Sequence, residues 1–362
     1  MNLPPLIIGW GTPSMAEPDS KSVAGKSAGA NLPITVMAFY KFHRIEAPST
    51  LQTHLRSLLD VHDMKGTILV AREGLNGTIA GPTSKAPAML NALRLIPGFA
   101  ELTAKVSYCE DYPFLRAKVK LKREIVTMGQ PDLNPTQSGE YVSPKDWNAL
   151  IEDPDVLLID TRNDYEVAIG SFKGAANPNT VRFRDFPEYV QTHLDQDKAK
   201  KIAMFCTGGI RCEKSTAYLK SQGFESVYHL EGGILQYLED VPSSDSLWEG
   251  DCFVFDERVA VDHQLEPAGY IQCHACRRPL KPMDTERPEY IRGESCHHCA
   301  DETSEADRAR FRERQRQIDL AQSRGESHLG DSARHQQSQQ RKAKRSAKAA
   351  QRHAEQKAQK AN

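Results

Sequence analysis

The chain reads as a multidomain α/β and α+β protein. It divides into a ferredoxin-like β-α-β-β-α-β domain, a parallel α/β domain, a small four-cysteine zinc-ribbon-like segment and a helical to disordered basic tail. Three observations carry this. Strand-like and helix-like runs over residues 34–129 follow one another as β-α-β-β-α-β. After residue 143, continuous apolar runs alternate with helical ones, the pattern of a sheet buried on both faces. Two CxxC pairs then follow, separated by 19 residues. At 362 residues, 39% hydrophobic and 26% charged, the composition suits two or three packed domains joined to unpacked segments. No window is apolar enough for a membrane span, and the first residues lack a secretory pattern. The expectation is a cytoplasmic protein with no membrane partner.

Residues 1–33 mix Pro, Gly, Ser and Ala without periodicity and read as a disordered leader. Ile34 to Phe42 is a strand, and Ser49 to Leu59 a helix with Leu51, Leu55, Leu58 and Leu59 on one face, started by Pro48 and Ser49. Thr67 to Ala71 and Leu75 to Ala80 are short strands around Arg72-Glu73-Gly74. Pro87 to Ile96 is a second helix; Ala104 to Tyr108 and Ala117 to Thr127 complete the domain as strands. Residues 130–142 form a linker by composition. A second domain over 143–246 begins with a helix at Ser143-Pro144. It has apolar strands at Val156 to Asp160, Ile202 to Cys206 and Ser226 to Leu230, and a helix at Cys212 to Gln222. Sites in parallel sheets lie at the C-terminal ends of strands, where Cys206 stands.

Cys206-Thr207-Gly208-Gly209-Ile210-Arg211 follows a strand and opens a helix. Glycines permit a tight turn whose N–H groups face the sulfur, the helix adds its positive end, and Arg211 adds a full charge. These favour a thiolate, and equally a persulfide or a bound oxyanion. Cys206 and Arg211 are therefore the candidate catalytic residues, with Thr207, Gly208, Gly209, Ile210 and Cys212 forming the loop. The four residues between Cys206 and Arg211 make a cradle sized for sulfur rather than for a phosphoryl group.

The stretch from Leu158 to Leu238 resembles a rhodanese domain. Asp160-Thr161-Arg162 with Tyr165-Glu166 is similar to its DxR…E signature, residues 170–178 to its GHIxGAxNIP with Ser171 in place of histidine, and residues 228–234 to its YxLxGGI. In that family the loop cysteine carries a persulfide, which maps onto Cys206. Cys212 stands where simpler rhodaneses have serine; it is either a resolving thiol or a small helix N-terminal residue. Residues 73–78 (EGLNGT), 206–214 (CTGGIRCEK) and 250–259 (GDCFVFDERV), with the double CxxC, resemble the tRNA uridine-34 hydroxylase family (TrhO type) over residues 34 to about 325. The resemblance implies hydroxylation of the wobble uridine at C5 to 5-hydroxyuridine. Molecular oxygen is the implied co-substrate, and the anticodon loop of tRNA the implied partner. Neither a GxGxxG turn nor two histidines with a carboxylate at iron-binding spacing occurs, so the residues leave the redox cofactor unknown. A general rhodanese-type sulfurtransferase and a non-catalytic RNA-binding adaptor are the alternatives. The residues assign no oligomeric state.

Cys273, Cys276, Cys296 and Cys299, in a segment spanning 250–303, have the spacing of a structural zinc site, whose binding would supply folding free energy to a segment too short for a core. Ser304-Glu305-Ala306-Asp307 caps a helix over 304–325 that carries Phe311 and Ile318. Residues 326–362 form a basic tail. From 331 onward it holds nine Lys and Arg against two acidic residues, while the whole chain has a net charge of −1. An acidic body with a basic tail suits a polyanionic partner, or solubilisation alone.

Overall fold

The computed structural model describes residues 32–194 and 200–323. The expected leader and basic tail therefore lie almost wholly outside the described residues. The first domain consists of β1 (Ile34–Phe42), α1 (Pro48–Val61), β2 (Lys65–Ala71), β3 (Gly74–Pro82), α2 (Ala86–Arg94), β4 (Lys105–Cys109) and β5 (Ala117–Leu121). Strand order is β4-β1-β3-β2-β5, with β1 antiparallel to β3 and β4, and β5 parallel to β2. The first four strands have the split-βαβ arrangement expected; β5 extends its edge.

Alternation along the strands divides the sheet into two faces. Met37, Phe39, Ile68, Val70, Leu75 and Ile79 pack against Leu55 and Leu59 of α1 and Met89 and Leu93 of α2. The other face carries Ala38, Tyr40, Asn76 and Thr78, and no helix of this domain covers it. It is turned toward the second domain.

That domain consists of β6 (Glu140–Val142), α3 (Pro144–Ile151), β7 (Val156–Asp160), α4 (Asp164–Val167), β8 (Gly170–Phe172), α5 (Phe186–Tyr189), β9 (Lys201–Phe205), α6 (Ile210–Ser221), β10 (Val227–Leu230) and α7 (Gly233–Asp240). Its sheet runs β6-β10-β9-β7, parallel throughout. The apolar runs are buried on both faces: Ile159, Ile202 and Met204 meet Phe186 and Leu219 on one side. Leu158, Ala203 and Phe205 meet Trp147, Ile234 and Tyr237 on the other. Beyond α7, β11 (Trp248–Gly250) pairs with β8, β12 (Cys252–Phe253) with β13 (Ala260–Val261), and β14 (Ile271–Gln272) with β15 (Pro279–Leu280). The described chain ends in α8 (Glu305–Ser323). No helix among the described residues is long and apolar enough to cross a membrane.

The structure departs from the sequence reading in four places. Glu140–Val142, inside the compositional linker, is the edge strand β6; parallel pairing with β10 overrides its polar composition. The strand expected to run from Ala117 to Thr127 ends at Leu121, because Glu124 turns the chain by accepting the backbone N–H groups of Met128, Gly129 and Gln130 at 3.2, 3.0 and 3.2 Å. Residues 252–261, grouped by sequence with the cysteine segment, contribute Cys252, Val254 and Val261 to the second domain's core. In α8, Gln315 and Ala321 are the buried residues, while Phe311 lies half-exposed between the guanidinium groups of Arg310 and Arg314.

One buried ion cluster holds the two domains together. Lys214, on α6 and fully enclosed, donates to Glu73 Oε2 at 2.8 Å and Glu124 Oε1 at 2.7 Å. Glu73 sits at the β2–β3 turn and also accepts the Ile125 N–H at 2.5 Å. The single ammonium offsets the two carboxylates held away from water in part, and burial raises the Glu73 carboxyl above its ordinary range. Lys214→Met should therefore destabilise the protein by about 3–5 kcal/mol, because it strands two carboxylates in a dry interface. Adding Glu73→Gln and Glu124→Gln to that variant should recover much of the loss. Urea titration of the single and triple variants checks both statements, and equal midpoints would contradict the cluster's role.

Candidate active site

The C-terminal end of β9 delivers Cys206 to a loop that enters α6 two residues after Gly208. Its side chain is buried, and its sulfur accepts the Gly209 N–H at 3.1 Å. Gly209 has φ +95°, a left-handed conformation that glycine adopts without strain, and a Cβ there would also lie 2.8 Å from Tyr40 Oη. Gly208 has open space beside it, so its backbone lies open to the cleft. A second glycine turn braces the loop from below. The N–H groups of Ile234 and Leu235 donate to the carbonyls of Cys206 and Thr207 at 3.0 and 3.1 Å, and a Cβ on Gly233 would come within 2.5 Å of the Cys206 carbonyl oxygen.

Burial pushes the Cys206 thiol up. The Cys212 side chain, the Arg211 charge and the backbone N–H groups of Cys212 and Arg211 outweigh it and hold the thiol at about 6. Cys206 is thus a thiolate at neutral pH. Its neighbour Cys212 is driven the other way, by burial and by Cys206 itself, and stays a thiol, within 3.6 Å of Thr161 Oγ1. This is the arrangement of a hydrogen-bond donor and its anionic acceptor.

Arg211 contributes differently from the sequence expectation. Its guanidinium is clamped in a bidentate pair with the fully buried Glu166, at 2.6 and 2.8 Å, so its charge is largely matched before any ligand arrives. Glu166 also accepts the Asn163 N–H at 3.0 Å, which fixes the start of α4. Beneath it, Arg162 pairs with Asp160 at 2.9 and 2.6 Å and with the Gly170 carbonyl at 2.5 Å. Ser171, standing where the rhodanese signature has histidine, donates to Asp160 at 2.8 Å and so keeps the strand tied to this pair.

The open face of the first sheet roofs this loop, enclosing a cleft of about 1540 Å³ with Cys206 on its floor. Four groups there escaped the sequence reading. Tyr40 of β1 donates to Glu213 Oε1 at 2.7 Å, and Tyr141 bonds to the same carboxylate. Burial raises Glu213 above the ordinary carboxylate range. Lys105 of β4 reaches across to α7. Only the EGLNGT and CTGGIRCEK motifs foreshadowed this cross-domain assembly, through Glu73 and Lys214. Phe255, exposed on the rim, lies under the Arg211 guanidinium at 5.9 Å and against Phe253 at 5.1 Å. Exposed Lys145, Arg182 and Arg184 also line the cleft. His229 is buried, and burial lowers it to about 4, so it is a neutral packing residue.

Away from the cleft, the sulfurs of Cys273, Cys276, Cys296 and Cys299 lie within 4.8 Å of one another. Cys276–Cys296 and Cys296–Cys299 are each 3.8 Å apart and no disulfide forms. An edge of this length is that of a tetrahedron with metal–sulfur bonds of about 2.3 Å, so the four thiolates fit zinc and leave no open position. This is the one group of potential metal ligands among the described residues. Cys273, Cys296 and Cys299 with Leu280 make up nearly all of the local core, which is why a metal would stabilise it.

Residues 34–125 match the family model described as the UPF0176 acylphosphatase like domain, and residues 143–240 that of the Rhodanese-like domain. Solved structures to which the chain is similar include a rhodanese-like domain from Anabaena sp., 20% identical over 30% of this chain and 78% of that one, with a TM-score of 0.26. A rhodanese-related protein from Thermoplasma volcanium is 21% identical over 28% of this chain and 95% of that one, TM-score 0.23. A single-domain sulfurtransferase from Saccharomyces cerevisiae is 20% identical over 28% and 91%, TM-score 0.24.

Two measurements test the site. The ultraviolet thiolate absorbance lost on Cys206→Ser should titrate with a midpoint near pH 6, with the thiolate present above it. Cys212→Ala should move that midpoint upward, whereas Cys212→Ser, which keeps a donor, should move it less. Elemental analysis should find about one zinc per chain, and serine at any of Cys273, Cys276, Cys296 or Cys299 should lower both metal content and soluble yield without shifting the Cys206 titration.

Proposed function

By its paired domains the chain belongs to the TrhO/UPF0176 family, and from that premise we propose that it modifies tRNA, hydroxylating the wobble uridine at C5 to give 5-hydroxyuridine. The observation that carries this reading is the composite cleft. A thiolate lies on its floor, the uncovered sheet face of the first domain forms its roof, and exposed cations line its rim. A flipped-out nucleotide from a single-stranded loop would put its ring in such a space and its phosphates at the cationic rim.

Within this proposal each residue has a defined part. Cys206 is the reactive thiolate, and the N–H of Gly209 with the thiol of Cys212 steadies its charge. Arg211 and Glu166 hold the loop's shape as a pair. Lys145, Arg182 and Arg184 meet phosphates, and Phe255 offers a face for stacking. Molecular oxygen enters as co-substrate in the family's chemistry: one atom goes into the C5–H bond, the other leaves as water, and an external two-electron reductant supplies the electrons; the cytoplasm is the compartment proposed for the reaction. Zinc held by the four knuckle cysteines would stabilise the C-terminal segment and supply no step of the reaction.

Sulfur transfer is the second reading, favoured by the small four-residue loop, in which Cys206 would carry a persulfide beside Cys212. The two separate in one experiment. Nucleosides from tRNA of a strain lacking the protein, with other routes to 5-oxyuridine also removed, should lose wobble 5-oxyuridine derivatives. The wild-type gene should restore them and Cys206→Ser should not. Unchanged derivatives in the deletion strain, with thiosulfate sulfurtransferase activity in the purified protein, would establish the second reading instead.

A further inference from the structure

Two of the cations nearest the Cys206 loop are already committed. Arg211 is held bidentately by Glu166, and Lys214 lies between Glu73 and Glu124. Lys105 is different. It projects from the edge strand β4 of the first domain into the cleft, half-buried, and among the described residues its ammonium bonds to a neutral amide, Gln236 Oε1, at 3.3 Å. It forms no salt bridge among those residues. An ammonium has three donors, so most of its hydrogen-bonding capacity is unspent. Its position is tied to the reactive loop through the paired glycines. A Cβ on Gly232 would lie 3.0 Å from Lys105 Nζ, and one on Gly233 would lie 2.5 Å from the Cys206 carbonyl oxygen. Whatever ring occupies the cleft above Cys206 thus has an unspent ammonium beside it.

We propose that Lys105 is the residue that reads the target base, its ammonium donating a hydrogen bond to a carbonyl oxygen where uracil carries O4 and cytosine carries an amino group. The inference rests on the tRNA-uridine reading above and adds its specificity determinant. One of its premises comes from the geometry and one from hydrogen-bond chemistry. First, a phosphate contact would suit the exposed cations of the rim, whereas Lys105 lies inside, beside the reacting floor. Second, a pure donor such as ammonium is satisfied by a keto oxygen and left facing another donor by an amino group. A mismatch of this kind in a partly dry site costs more than a missing contact, because both donors lose their water. Burial lowers the ammonium to about 8, against the opposing influence of Glu239 and Asp240 on α7 and of Cys206 and Cys252, so it is charged at neutral pH.

The test is equilibrium binding of the full chain, at pH 7, to two anticodon stem-loop RNAs that differ only in uridine or cytidine at position 34. The wild type should prefer uridine by about tenfold or more, the size expected of one charge-assisted hydrogen bond. Lys105→Met and Lys105→Gln should each abolish the preference, and Lys105→Arg should retain it. Loss of a nonspecific phosphate contact would weaken both RNAs equally and leave the ratio intact, so the ratio separates base reading from charge alone. An unchanged circular-dichroism spectrum and urea midpoint in the methionine variant show that the site has kept its shape. A uridine preference that survives both neutral substitutions, or a wild type that binds the two RNAs alike, would overturn the role given to Lys105 while leaving tRNA as partner. A wild type that binds neither RNA would overturn the tRNA reading, and this inference with it.

Discussion

Everything at the reactive site depends on the buried ion cluster that Lys214 forms with the carboxylates of Glu73 and Glu124. Lys214 belongs to the helix that Cys206 introduces, Glu73 to a turn of the first sheet, and Glu124 to the segment leaving it. An enclosed ammonium demands partners of opposite sign, and both come from the other domain. The cluster therefore fixes where the uncovered sheet face sits above the loop, and with it the positions of Tyr40 and Lys105. It also anchors the helix after the cradle in its first turns, which keeps the N–H groups of Gly209, Arg211 and Cys212 aimed at the sulfur.

The electrostatics around Cys206 follow a consistent division of labour. Strong charges are paired with each other, as in Arg162–Asp160 and Arg211–Glu166, and serve to hold backbone in place. The sulfur itself is steadied first by a directional donor, the Cys212 thiol, then by the charge of Arg211 and by backbone N–H groups, with the Gly209 N–H at 3.1 Å. A charge matched by a salt bridge is a poor competitor for ligand, whereas Lys105, which has no salt bridge among the described residues, can respond to what enters. The loop is thereby rigid without being saturated.

Much of this is legible in the sequence, and the illegible parts share a cause. The β-α-β-β-α-β order, the parallel core strands, the Cys206 loop and the knuckle spacing are local patterns, set by periodicity or by residues a few positions apart. The strand β6 and the shortened β5 escape such a reading because their states are decided by distant partners, β10 in one case and the amides gathered by Glu124 in the other. Tyr40, Lys105 and Tyr141 carry no local signal at all: an isolated tyrosine or lysine in a strand looks like any surface residue until another domain closes over it. Arg211 is evident in the loop, but its partner Glu166 lies 45 positions away, and so the sequence overstates its free charge.

The tie between Glu73 and Lys214 spans 141 positions of chain. During synthesis the first domain emerges and can fold while Lys214 is still unmade, leaving Glu73 and the uncovered sheet face in water. Closing so long a loop is entropically slow, and it comes after the local elements of each domain have formed. The reactive cysteine, made eight residues before Lys214, thus acquires its roof only at the end of assembly. Incomplete chains carry the cysteine without the enclosure that directs its chemistry.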